Sequence, residues 1–316
     1  MKIYAKSFYN QAVALRHFVE ASRNDCVGAH SLVEDPQDAD CVVFVENAED
    51  DDYFYHRLLT DPLLDDFGPK CFMYNEVDQP WNVLPGLYCS MPASAFDASS
   101  QRAFPYLFNA NPYIGESEVE RQWLYSFQGA PNHRVRRKLY GIEDDRSLIE
   151  DTSSFSIWTS EAEALDAGQR KYADTLAASA FVLCPRGSGT SSYRLFETMQ
   201  ARRVPVIISD EWVAPSPMDW SFAIRVPERD IPDIPEILRS HEDEWDDRSA
   251  AARRCWETHF SPEVIFNYAG DQLGELSDCP RTLTQARRDP HYLKISARYR
   301  VRQANHVVRA ALGSLR

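Results

Sequence analysis

The stretch CPRGSGTSSYRLFE, residues 184–197, holds residue types that packing alone does not demand. Gly187 and Gly189 let a backbone turn tightly and approach a ligand closely. Thr190, Ser191 and Ser192 offer hydroxyls, one of which could cap a following helix. The free N–H groups and dipole at such a helix start favour an anion. Arg186 and Arg194 add two fork-shaped donors suited to phosphate oxygens. Together these groups make a site for a diphosphate. Glu197 lies further along the same helix, with its side chain leaning back toward the ligand end. A carboxylate there would repel phosphate, so a ribose diol is its natural partner. The bland alternative is an Arg194–Glu197 surface pair at i, i+3. The glycine pattern is neither GxGxxG nor GxxxxGK[ST], so a dehydrogenase or P-loop reading leaves Arg186 and Glu197 without roles.

The flanking elements must position these groups. AFVLCP (180–185) reads as a strand, SSYRLFETMQAR (191–202) as a helix and VPVIISD (204–210) as a strand. That βαβ order predicts a parallel sheet, and ligands of such sheets sit beyond the carboxyl ends of the strands. Asp210 and Glu211 fall at one such end. QWLYSFQG (122–129) reads as a strand ending in Gly129, HRVRRKLYG (133–141) as a short helix, 161–179 as a long helix and FAIRVPE (222–228) as a further strand. In the first ~115 residues, CVVFVEN (41–47) and KCFMYNE (70–76) read as buried strands and 10–22 as an amphipathic helix. The expected organisation is an N-terminal α/β domain over 1–117, a C-terminal α/β domain over 118–285 and a basic helix over 286–316.

Composition narrows the function classes. The 316 residues suffice for two domains. A formal net charge of −14 disfavours general nucleic-acid binding. The seven cysteines are scattered and form no CxxC pair, which favours reduced thiols in a cytoplasmic setting over a zinc site or disulfide framework. No stretch reaches the ~20 apolar residues of a membrane span. Residues 281–316 carry nine Lys/Arg against one Asp, net +8, which leaves −22 on the rest. Two readings of that segment stay open, a helix packed on the acidic body and an amphipathic helix lying against an anionic membrane. The acidic run EDDD (49–52) reads as a solvated loop, and Trp212 and Trp220 as core residues or as stacking platforms.

The segment CPRGSGTSSYRLFETMQARRVPVIISDEW resembles the donor-site signature of exostosin-family glycosyltransferases, C-P-R-G-x-G-T-x-S-x-R-x-x-E followed by P-V-I-x-x-D. WLYSFQGAPNHRVRRKLY (123–140) resembles that family's strand–Gly–Arg segment, and 74–90 resembles its first-domain region more loosely. The resemblance implies an α/β fold of GT-B type, two Rossmann-like domains facing a cleft. It implies inverting transfer, commonly from a UDP-sugar, without an obligatory metal, to a glycan or glycolipid acceptor. It places Arg186, Arg194, Gly129 and Arg136 at the donor phosphates and Glu197 at the ribose. Arg203 departs from the pattern, which usually has glycine there. The base that an inverting transfer needs should come from the facing domain or its loops, with Asp78, Glu76 and His133 as candidates and Glu211 as a further one. Two alternatives accompany this reading, a GDP-sugar donor and a protein of the same fold that binds nucleotide-sugar or glycan without turnover.

Overall fold

A computed structural model describes residues 1–9, 12–47, 54–78, 80–107, 111–117, 119–154 and 162–277. The acidic run at 49–52 and the basic segment 286–316 lie outside the described residues. Two parallel sheets form the frame. The first contains β1 (Lys2–Lys6), β2 (Ser31–Leu32), β3 (Cys41–Glu46), β4 (Cys71–Asn75), β5 (Gly86–Tyr88) and β6 (Gln101–Ala103), in the order β2-β1-β3-β4-β5-β6. The second contains β7 (Trp123–Gly129), β8 (Ser147–Asp151), β9 (Ser179–Pro185), β10 (Val204–Ile208) and β11 (Ile224–Arg225), in the order β11-β10-β9-β7-β8. Every described pairing is parallel.

Continuous burial along the central strands follows from helices covering both faces of a parallel sheet. CVVFVE in β3, SAFVLCP in β9 and VPVII in β10 are buried at every position. The helices are α1 (Val13–Asn24), α2 (Tyr55–Leu58), α3 (Pro62–Phe67), α4 (Arg134–Leu139), α5 (Ala162–Ala177), α6 (Tyr193–Gln200), α7 (Ile234–Ser240), α8 (Trp245–His259) and α9 (Ile265–Glu275). The architecture is α/β, two Rossmann-like domains with parallel sheets, and the loop after β9 meets the segment after β5 at Ser90. Among the described residues, no helix is long and apolar enough to cross a membrane.

Two features differ from the sequence expectation. The stretch 222–228 keeps only a two-residue strand, with one further bond from the Val226 N–H to the Ile207 carbonyl at 3.0 Å. The helix α9, placed by sequence in the 118–285 domain, packs instead on the first sheet. Phe266 meets Phe18 of α1 edge-on at 5.5 Å, and Tyr268 stacks on Phe104 at 5.4 Å. The chain end of the second domain is thus returned to the first by aromatic burial, which ties the two halves together.

Candidate functional site

The second-domain wall is built at the carboxyl ends of β7 and β9. Phe127, one residue pair before the end of β7, presents a buried ring. The Arg194 guanidinium lies 4.8 Å from its centroid, and that of Arg136, from α4, lies 5.9 Å away. Arg194 also donates from Nη2 to the Gln128 carbonyl at 2.5 Å. Gly129 is fitted to this crowding, since a Cβ there would stand 2.7 Å from Phe127 Cζ and 3.4 Å from Arg194 Nη2. Gly187 is fitted to Arg136 in the same way, with a Cβ coming within 3.1 Å of Nη2. Arg186 leaves β9 toward Glu228, 3.9 Å from Nη1 to Oε1.

These three arginines share one chemical property. The Nε atoms of Arg136, Arg186 and Arg194 are all buried without a hydrogen-bond partner. Burial, followed by the like charge of Arg194, lowers the Arg136 pKa to about 10. Buried donors without acceptors are costly, and neighbouring cations add repulsion. An oxyanion with several acceptor oxygens would relieve both.

The start of α6 completes this wall differently from the sequence expectation. Ser192 is its cap, with Oγ accepting from the Arg194 N–H at 3.3 Å. Thr190 and Ser191 turn to the first domain instead. Thr190 Oγ1 donates to the Ser90 carbonyl at 3.0 Å, and the Ser191 N–H donates to Ser90 Oγ at 3.3 Å. Gly189 is tight against that domain, not against open space: a Cβ there would fall within 3.0 Å of Ser90 Oγ, Asp78 Oδ1 and Tyr106 Oη. Asp210 is spent on Glu228, accepting its N–H at 3.0 Å. The Glu211 carboxylate accepts the Ser94 N–H at 2.9 Å and so clasps the first domain. Those hydrogen bonds from Ser94 hold its pKa below the usual carboxylate value. Trp212 is buried and meets Trp220 edge-on at 5.1 Å, so this pair belongs to the core and not to a stacking platform.

Glu197 and Arg194 are both buried, so they are not a surface pair. Tyr172 of α5 donates to Glu197 Oε2 at 2.8 Å. Burial raises the Glu197 pKa to about 7, against the opposing pull of Tyr172 and Arg194.

The first-domain wall lies at the carboxyl ends of β4, β5 and β6. Glu76 is buried, not solvated. Its Oε1 accepts from Tyr74 Oη and, at 2.8 Å, from the Leu107 N–H. Burial lifts its pKa to about 7. Asp78 is exposed, and Tyr106 Oη donates to its Oδ1 at 3.0 Å. His133 stands on the other domain, where its Nδ1 caps α4 by accepting the Val135 N–H at 3.3 Å. Burial, then Arg186, lowers its pKa, which keeps the ring neutral and suits that acceptor role.

The raised pKa values of Glu76 and Glu197 have a consequence for stability. Between the ordinary carboxylate value of 4.5 and about 7, the folded chain binds protons that the unfolded chain has released. Stability therefore falls as pH rises through that window. Thermal midpoints at pH 5 and 7.5 are expected to show this fall in the wild type and a smaller one in Glu76→Gln with Glu197→Gln. An equal fall in both proteins would contradict it.

The model of the exostosin GT47 domain matches residues 76–241. This chain belongs to the exostosin GT47 family. The candidate site residues from Glu76 to Glu228 lie within the matched exostosin domain, with Tyr74 just ahead of it. The Exostosin-1 homolog of Caenorhabditis elegans is 35% identical over 147 residues, covering 39% of this chain and 36% of that protein. Exostosin-1 of Drosophila melanogaster is 38% identical over 104 residues, covering 30% of this chain and 13% of that protein. The exostosin match thus spans about a third of the nematode relative and less of the fly one. A glycosyltransferase from Rickettsia africae ESF-5 superimposes on 87% of this chain and 98% of its own at 8% identity, with a TM-score of 0.43.

Several residues of this exostosin site carry no signal in the reading of 184–211 alone. Glu228 closes the predicted strand 222–228, so its place at a strand end was a readable signal. Tyr172, Ser90 and Tyr106 come from distant segments whose sequence has no chemical mark.

Proposed function

We propose that this chain is an inverting glycosyltransferase. It moves a sugar from a nucleotide-sugar, a UDP-sugar in the first instance, to a hydroxyl of a glycan or glycolipid. The observation that carries the proposal is the pair Arg136 and Arg194 gathered at Phe127, with Arg186 following the end of β9, each with a buried Nε that has no partner. Such a cluster matches a diphosphate in the ground state and a departing diphosphate in the transition state. Three guanidiniums supply the positive charge that a divalent metal would otherwise provide, and the transfer is proposed to need none. Glu197, held by Tyr172, takes the ribose hydroxyls. Asp78 is the proposed base, because it faces the Gly189 loop and keeps a solvent-accessible carboxylate. Glu76 is the second choice, being more deeply buried with a pKa of about 7.

Calorimetric titration of UDP and GDP, with and without magnesium, tests the donor site. Magnesium-independent binding of UDP with weaker binding of GDP is expected. Stronger GDP binding would move the donor to a GDP-sugar. Nucleotide binding without turnover on any sugar donor would favour the non-catalytic reading, and no binding of either would remove the donor site.

A further inference from the structure

We propose that Tyr106 and Ser90 are positioning residues: a directed hydrogen-bond chain through them seats Asp78 against the Gly189 loop, joining the base to the phosphate cradle. The proposal rests on the glycosyl-transfer reading above and deepens it.

The ends of the chain fix the direction of every proton in it. At one end is the Ser191 backbone N–H, which can only donate, 3.3 Å from Ser90 Oγ. At the other is the Asp78 carboxylate, acceptor-only when ionised, 3.0 Å from Tyr106 Oη. Ser90 Oγ and Tyr106 Oη lie 2.5 Å apart. Tyr106 has one hydroxyl proton, and Asp78 takes it. Ser90 must then donate to Tyr106 while accepting from Ser191. The sequence Ser191 N–H to Ser90 Oγ–H to Tyr106 Oη–H to Asp78 is the one arrangement that satisfies all three contacts, and aligned dipoles in such a chain reinforce one another. Burial and the Asp78 charge hold the Tyr106 phenol well above its ordinary pKa, so it remains a donor.

Position and backbone agree with this role. Asp78, Ser90 and Tyr106 follow the carboxyl ends of β4, β5 and β6, three neighbouring strands of one sheet. They reach the same glycine of the other domain, and any side chain at Gly189 would collide with all three. Thr190 adds a second bond, to the Ser90 carbonyl at 3.0 Å. A shift of the cradle loop is therefore transmitted to the carboxylate through two hydroxyls.

The test uses the full chain with Tyr106→Phe, which keeps the ring and removes only the hydroxyl, and Ser90→Ala as an independent break. Amide hydrogen exchange, read by mass spectrometry, is expected to quicken at 186–192 in both variants. Unchanged exchange would overturn the chain whether or not the protein turns over a sugar donor. With a UDP-sugar, Tyr106→Phe is expected to lower kcat by about tenfold and leave donor KM within about twofold, a split that places the loss after donor binding. In an Asp78→Asn background the same change should cost nothing further, as coupled residues behave in a double-mutant cycle. An equal loss in both backgrounds would overturn the positioning role. Failure of wild-type chain to bind UDP would sink the glycosyl-transfer reading alone, and the exchange result would still decide the hydrogen-bond chain.

Discussion

Arg186→Ala is expected to weaken UDP binding by about thirtyfold or more while moving the thermal midpoint by only a few degrees. Hydrogen bonds to charged groups contribute about 1.5–3 kcal/mol, or roughly one to two powers of ten in affinity. Arg186 has little else to lose. Its closest carboxylate oxygen, on Glu228, is 3.9 Å away, and its Nε has no partner. Removing it does not strand Glu228, which retains Arg134 at 3.3 Å and the Asp210 N–H at 3.4 Å. Arg194→Ala would be a poorer probe. That side chain also satisfies the Gln128 carbonyl and covers Phe127, so lost binding would be mixed with lost structure. Calorimetry of Arg186→Ala beside the wild type, with a thermal scan of each, separates the two effects. Unchanged affinity would remove Arg186 from the cradle.

The second-domain wall was legible because its chemistry is concentrated in one stretch. Arg186, Gly187, Arg194 and Glu197 lie within twelve residues, and the apolar runs on either side announce the strands that aim them. The long buried strands β3, β4, β7, β9 and β10 were legible for the same reason, as uninterrupted apolar runs. β5, β6 and β8 were not. Gly86–Tyr88 follows a Pro-rich loop, Gln101–Ala103 has one apolar residue, and Ser147–Asp151 is half-buried and acidic at its end. Their strand state is imposed by neighbours in the sheet, which sequence periodicity does not record. The first-domain wall was obscure on similar grounds. Glu76 ends the predicted strand 70–76, but the cover that buries its carboxylate, Tyr74 and the Leu107 amide, comes from another turn of the chain as well as its own strand. Thr190 and Ser191 had the right chemistry for an anion, and only the position of Ser90 about a hundred residues away diverts them.

Asp78→Asn is expected to lower kcat by about a hundredfold or more while leaving UDP affinity nearly unchanged, because general-base catalysis typically supplies 10²–10⁴ in rate. The geometry makes the two readouts separable. Asp78 belongs to the first domain, where Tyr106 Oη donates to it, and its charge makes only a minor contribution at Arg136. The nucleotide-contacting groups proposed above all belong to the second domain. Asparagine keeps the shape and can still accept the Tyr106 proton, so the hydrogen-bonded frame survives and only basicity is lost. Glu76→Gln is the decisive comparison. Its amide would face Tyr74 and the Leu107 N–H with one acceptor oxygen retained, and the chain should fold. If Asp78→Asn abolishes turnover and Glu76→Gln leaves most of it, the exposed carboxylate is the base. The reverse pattern would transfer the role to Glu76, whose pKa of about 7 would then place the acid limb of the rate profile near neutrality, with activity falling as pH drops and the carboxylate takes up its proton.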